Sequence, residues 1–226
     1  MSTFGDRIHR FAGLMILGMC CVLSNDVALG RQTNQEATSG GDFHWDSDAD
    51  KELTANESLG NAKTSEADKR AIAAAIIRQL YPRRKNVAPE AKAKFLKAAL
   101  ATRVEVTDLN GDGMPEVVAQ GMGEEDCSPT GNCPLWIFQR VGNEYRLLLR
   151  SFGQTFTIQK RSTNGYRDVV ISMHGSATES ELKEYQFSGG MYRKVGCFDA
   201  EWEIPEGDEV QQSKEPRITQ FACSGR

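Results

Sequence analysis

Of the 226 residues, 39% are hydrophobic and 26% charged, and the formal net charge is −4. This is the composition of an ordinary globular chain, at about 100 to 200 residues per folded domain. The acidic balance argues against a general nucleic-acid binder, which needs clustered Lys and Arg to displace counterions from phosphates.

Arg7 and Arg10 precede an apolar run over 11–23, and Ala28-Leu29-Gly30 supplies a small-residue exit. That order is the plan of a secretory signal peptide over 1–30, with cleavage expected after Gly30. The run is shorter than the roughly 20 apolar residues of a membrane-spanning helix. A secreted or periplasmic chain without a transmembrane segment is therefore expected. Met19 before Cys20 makes a poor lipidation site, so plain secretion is preferred to a lipoprotein. Residues 31–63 are polar and lack an apolar period, so they read as a flexible linker that buries too little surface to offset chain entropy.

Order is expected from Ser65, a helix cap with Asp68 three residues on. Ile72, Ile76, Ile77 and Leu80 mark one helical face, and Pro82 stops it. A second helix is predicted from Pro89, with Ala91, Phe95, Leu96, Ala99 and Leu100 on its apolar side. From Arg103 the period changes to two, with turn signals about every ten residues. The predicted strands are 103–108, 116–121, 134–140, 144–150, 155–161, 167–173, 181–187 and 191–198.

Part of this region is written twice. Phe138/Tyr185, Gln139/Gln186, Gly142/Gly189, Tyr145/Tyr192 and Arg146/Arg193 share one offset of 47 residues. Upstream, Asn110-Gly111 before Glu116-Val117-Val118 matches Asn164-Gly165 before Asp168-Val169-Val170, with two residues deleted. The repeat units are 103–151 and 155–200. The expected fold is α+β: two N-terminal helices followed by about eight mainly antiparallel strands, arranged as two duplicated four-stranded meanders in a single domain over 64–226.

After signal cleavage four cysteines remain, Cys127, Cys133, Cys197 and Cys223. An even count in an exported chain reads as disulfides, with three connectivities open. Local closure across Ser-Pro-Thr-Gly-Asn favours Cys127 with Cys133, which leaves Cys197 to tie down Cys223. Zinc is the rival for these thiols, but there is neither a second close cysteine pair nor a histidine pair.

The most specific chemical signal is Asp108-Leu109-Asn110-Gly111-Asp112-Gly113-Met114-Pro115-Glu116. Oxygen side chains alternate along it, Gly113 permits a tight turn and Glu116 closes the set. Hard oxygen donors at this density suit Ca²⁺, whose shell takes 6 to 8 oxygens. The turn opens like an EF-hand, but its twelfth position is Ala119 and a strand follows where a helix belongs. Over residues 104–118 the chain resembles the FG-GAP and VCBS type repeats, whose blades carry an Asp-x-Asp/Asn-Gly-Asp-Gly-x-x-Asp/Glu loop before a hydrophobic strand. The resemblance implies calcium at Asp108, Asn110, Asp112, the Met114 backbone carbonyl and Glu116, in an extracellular setting. The second unit has Ser162-Thr163-Asn164-Gly165-Tyr166-Arg167 in place of the acidic ladder. There Lys160, Arg161 and Arg167 are candidates for meeting a partner.

His174, in Ser172-Met173-His174-Gly175-Ser176, is the one histidine of the strand region. No Gly-x-Ser-x-Gly elbow, P-loop or dinucleotide fingerprint accompanies it. The sequence thus points to an exported, calcium-stabilised, disulfide-bonded binding module, acting on a protein or glycan outside the cytoplasm rather than as a catalyst. The alternative is an exported inhibitor of a hydrolase that presents the Cys127–Cys133 loop. A minor hydrolase using His174 or carboxylates ranks third.

Overall fold

Ser65 caps the first helix as its position predicts. Its hydroxyl oxygen accepts from the Asp68 backbone N–H at 3.0 Å and donates to the Asp68 carboxylate at 2.7 Å, so one of the unsatisfied first-turn donors finds a partner. The computed structural model describes residues 49–53, 57–82, 88–123, 126–203 and 216–223, all within the compact unit Asp42–Arg226. The expected signal segment and the expected linker up to residue 48 lie outside the described residues, as do Glu124 and Glu125.

Helix α1, Glu66–Leu80, buries Ile72, Ala73, Ala75 and Ile76. Helix α2, Pro89–Ala101, begins with a proline whose missing N–H costs nothing at that position. Only Phe95 and Ala99 of α2 are buried, and the Phe95 ring stacks on Tyr81 at 3.8 Å. Leu96 was expected on the apolar side but is exposed. One residue further around the helix from Phe95, it falls outside the narrow stripe that α2 buries.

The strands are β1 Ala49–Leu53, β2 Glu57–Ser58, β3 Arg103–Thr107, β4 Glu116–Gln120, β5 Cys133–Val141, β6 Glu144–Gly153, β7 Thr155–Thr163, β8 Tyr166–Ser176, β9 Glu179–Ser188, β10 Met191–Glu201 and β11 Arg217–Gln220. They form one sheet in the order β2-β3-β4-β5-β6 and another in the order β1-β7-β8-β9-β10-β11, with antiparallel pairing throughout. The eight expected strands are β3 to β10, but the count is corrected to eleven among the described residues. The additions, β1, β2 and β11, sit at sheet edges. Two of them overturn the expected linker at its C-terminal end, where Leu59 is also fully buried. Ordered structure therefore starts before residue 64. Polar composition hid these strands because a short edge strand draws its stability from a partner's ladder, not from apolar residues of its own.

Alternation along each strand decides which layer a residue meets. Val117, Ala119, Trp136 and Phe138 face the helices and pack with Ile72, Ala75 and Ile76. Val118, Leu135, Ile137 and Leu148 point the other way and pack with Phe156, Ile158, Val169 and Ile171 of the second sheet. Val170, Leu182, Phe198 and Ala200 form a smaller cluster on that sheet's far face. The layers run helices, first sheet, second sheet. Full burial of an Ile or Phe side chain is worth roughly 1.5 to 3 kcal/mol, so β4 and β5, buried on both faces, anchor the stack.

The pairing of repeat positions across these layers is informative. Val117 faces the helices, whereas its counterpart Val169 faces the first sheet. Corresponding sides of the two meanders look in one direction, so the sheets stack front to back. The crossing between them is tight. A Cβ on Gly153 would lie 2.4 Å from Ile171 Cγ2, and the next residue's N–H donates to the Ser172 carbonyl at 2.7 Å.

Candidate functional site

The turn over 108–116 joins β3 to β4 and is closed by its own side chains. One Asp108 oxygen accepts from the N–H groups of Asn110 and Gly111 at 3.3 and 2.7 Å, and the other from Gly113 at 2.9 Å. Asn110 Oδ1 accepts from the Asp112 N–H at 3.0 Å and Asp112 Oδ1 from the Met114 N–H at 2.7 Å. Short Asx side chains favour this bonding, and glycines supply the left-handed backbone at φ 73° and 81° for Gly111 and Gly113. The Gly113 N–H above all, with those of Gly111, Asn110 and Asp112, holds the Asp108 carboxyl below its usual range against some desolvation.

Glu116 lies beneath this turn and is wholly buried. Its Oε2 accepts from the Leu109 N–H at 2.9 Å, and its Oε1 from Gln139 Nε2 at 3.4 Å. Burial pushes its carboxyl up; the Leu109 N–H opposes that shift, and the Asp112 and Asp108 charges add to it. The turn is also fastened to the second meander. Leu109 O accepts from the Arg167 N–H at 2.7 Å, and the Tyr166 hydroxyl accepts from Asn110 Nδ2 at 3.1 Å and Gln139 Nε2 at 2.5 Å. Tyr166 in turn stacks on Phe187 at 3.8 Å and meets Tyr192 edge-on at 6.2 Å.

Asp108, Asp112 and Glu116 lie within one another's electrostatic reach, yet among the described residues no Lys or Arg pairs with any of them. Nor, among the described residues, is any group of three or more His, Cys, Asp or Glu arranged to hold a metal ion. The carboxylates are turned to N–H donors of the turn itself. The donor set is nonetheless one of hard oxygens: three carboxylates, an amide oxygen and a carbonyl within nine residues. Its chemistry fits calcium, although its side chains are not gathered around one centre.

The corresponding place in the second meander is filled differently. Asp168 is wholly buried, like Glu116, and accepts from Gln186 at 3.3 Å as Glu116 does from Gln139. A guanidinium is added here. Arg161 Nε donates to Asp168 Oδ2 at 2.6 Å, and its Nη2 pairs with Glu184. Arg167 Nε donates to the Gln159 carbonyl at 2.6 Å. Arg161 and Arg167, two of the candidates for meeting a partner, are thus both bonded inside the chain. Lys160 is exposed and also carries an interaction of its own. Gln139, Gln186 and Tyr166 were not singled out as site residues. The repeat offset that pairs the two glutamines was the signal that could have found them.

Both expected disulfides are formed, Cys127–Cys133 with Cα atoms 4.2 Å apart and Cys197–Cys223 with Cα atoms 5.2 Å apart. Inside the first loop, the Gly131 N–H donates to Ser128 O at 2.9 Å and the Ser128 N–H to Asn132 O at 2.7 Å. Pro129 follows Ser128, and Gly131 takes φ 82°, so each turn residue meets its conformational demand. Asn132 is buried and locks the loop to β8: its Oδ1 accepts from the His174 N–H and its Nδ2 donates to the His174 carbonyl, both at 2.8 Å. His174 therefore serves through its backbone. Among the described residues its ring bonds to no serine or carboxylate, and Ser176 donates to Glu179 instead. The tip residues Pro129 and Thr130 are exposed, and beside them runs a groove lined by Arg103, Met122, Gly123 and the disulfide.

Compared with family models, with curated proteins and with solved structures, the chain finds no match. No helix among the described residues is long and apolar enough to cross a membrane.

Proposed function

We propose that this chain is an exported, calcium-stabilised and disulfide-braced binding module, built from two duplicated meanders, whose partner is a protein or glycan outside the cytoplasm. The observation that carries the reading is the contrast between two buried carboxylates at matching repeat positions. Asp168 has an arginine beside it, whereas among the described residues the acids around Glu116 have only N–H donors. Asp108, Asn110, Asp112, the Met114 carbonyl and Glu116 are the oxygens that would hold calcium there. The bound ion would supply positive charge to a turn that also fastens one meander to the other. Two disulfides suit an oxidising compartment.

A second reading, an exported inhibitor of a hydrolase, is favoured by one feature. The Cys127–Cys133 loop is fixed at its base by a disulfide and by Asn132, and presents an exposed Pro129-Thr130 tip. Preorganisation of that kind lowers the entropy lost on docking.

Melting in calcium and in chelator tests the main reading. Calcium at 100 times its Kd should add about 2.7 kcal/mol to the stability of the wild type and nothing to Asp112→Ala. Coincident melting curves for the wild type in the two buffers would refute it.

A further inference from the structure

The front-to-back stacking of the meanders gives their equivalent acids unequal surroundings. Glu116 and Gln139 lie under the second meander, where the Tyr166 hydroxyl closes over them. Asp168, Glu184 and Gln186 alternate with Val169 and Tyr185 and so point to the far face of the second sheet, the side of Val170 and Leu182. Among the described residues no third meander lies on that side to do for Asp168 what Tyr166 does for the first unit. Arg161, half-exposed itself, reaches over from β7 instead and bonds to both acids, whose side chains are 0% and 11% exposed.

One atom stays unexplained by this pairing. Asp168 Oδ1 is buried and has no hydrogen-bond partner. A carboxylate oxygen in that state normally signals a missing donor or ion. Arginine bridges the two carboxylates with a planar, directional fork, and Oδ1 receives no bond from it. A spherical cation, bound without regard to hydrogen-bond direction, would draw on both oxygens of Asp168.

We infer that Asp168 and Glu184 form a second cation site in which the Arg161 guanidinium is the resident charge, and that removing this side chain opens the site to a hard divalent metal such as Ca²⁺. The donors are the Asp168 and Glu184 carboxylates, with Gln186 alongside as Gln139 is alongside Glu116. The inference stands whether or not the first turn takes calcium. It makes the arginine a built-in substitute for an ion, so that the second unit needs no metal while Arg161 is in place.

The test uses the full exported chain in an Asp112→Ala background, so that the first turn contributes no calcium ion to the count. Adding Arg161→Ala should lower the melting temperature in chelator by roughly 5 to 12 °C. Millimolar calcium should restore at least half of that loss, and calorimetric titration should show one ion per chain that the parent lacks. A variant that folds only when calcium is present would count for the inference in the same way. Adding Asp168→Asn should abolish the new ion and make the melt independent of calcium, and it keeps the test readable where Arg161→Ala alone is too unstable to purify. The inference is overturned if Arg161→Ala melts like its parent, if calcium restores nothing, or if the titration finds no additional ion.

Discussion

The turns that open the two meanders carry the same problem and solve it differently. Each places a buried carboxylate at or near the start of a central strand, Glu116 as the first residue of β4 and Asp168 as the third of β8, and each sets a glutamine from the neighbouring hairpin against it. Burying an unpaired charge is expensive, so some group must balance it. In the second turn that group is Arg161, supplied by the chain. In the first it is a set of N–H donors, with two further acids close by and, among the described residues, no cationic side chain. A buried acid is therefore not in itself the mark of an ion site; what surrounds it decides. Similar sheet positions are balanced by a guanidinium in one meander and by N–H donors in the other.

Each unit also has its own covalent brace, and removing the braces should give the largest effects. In the chain-entropy account, a bridge between residues 26 apart constrains the unfolded chain more than one between residues 6 apart. Replacing Cys197 and Cys223 with alanine should cost about 3.5 kcal/mol, and replacing Cys127 and Cys133 about 2 kcal/mol. Unfolding free energies extrapolated to water, with the m-value fitted separately for each variant, measure both. If the loop bridge proved the costlier, its value would lie in holding the finger's folded geometry, and the comparison of the units would have to include that loop.

The next effect is smaller and bears directly on the two acids. Without metal, Asp168→Asn leaves Arg161 beside a neutral amide and should cost about 1 to 3 kcal/mol, less than for a fully buried pair because the guanidinium is half-exposed. Glu116→Gln removes a charge with no cationic partner and should cost less than about 1 kcal/mol, or stabilise. Equal losses in chelator would mean that the two turns are balanced alike, and the contrast would fail.

How much of this was visible in the chain varies with how local the cause is. The two helices, the strands β3 to β10 and both bridges were readable because period, turn residues and spacing act over a few residues. The Ser65 cap and the left-handed Gly111, Gly113, Gly142 and Gly189 belong to the same class. What escaped depends on distant parts of the chain. β1 pairs with β7, far along the sequence, and nothing in its composition announces that ladder. Leu96 has the chemistry of a core residue but sits outside the stripe that α2 buries. In the sequence Arg161 is one of three basic residues near a turn and a candidate for meeting a partner. Its role comes from Glu184, a residue on another hairpin, which sequence order does not place beside it. The shared sequence offset aligns Gln139 with Gln186, but only the folded sheets show that each one meets a buried acid.

The smallest expected effect concerns the paired tyrosines. Tyr145 and Tyr192 are equivalent in the repeat, yet one packs against the helix layer and the other between the sheets. Burial raises both phenols above the ordinary value of 10.0, with the Asp68 charge adding at Tyr145 and the Glu116 and Asp168 charges adding at Tyr192. A raised folded-state pKa means that the native protein keeps a proton the unfolded chain gives up, so the stability is fully present below pH 10 and is lost as pH rises beyond it. The loss per tyrosine should approach about 1.4 kcal/mol for each further pH unit. Tyr192 is the more enclosed of the two, at 3% exposure against 8%, and its hydroxyl donates to the Arg167 carbonyl at 2.8 Å, beside the seam between the turns. Tyr192→Phe should therefore flatten the alkaline decline more than Tyr145→Phe does, even though it loses that hydrogen bond at neutral pH. Denaturant titrations at pH 9, 10 and 11, with tyrosinate absorbance followed in parallel, would read the difference. If the two variants declined alike, neither the deeper enclosure of Tyr192 nor the acids of the two turns would set its phenol apart from that of Tyr145.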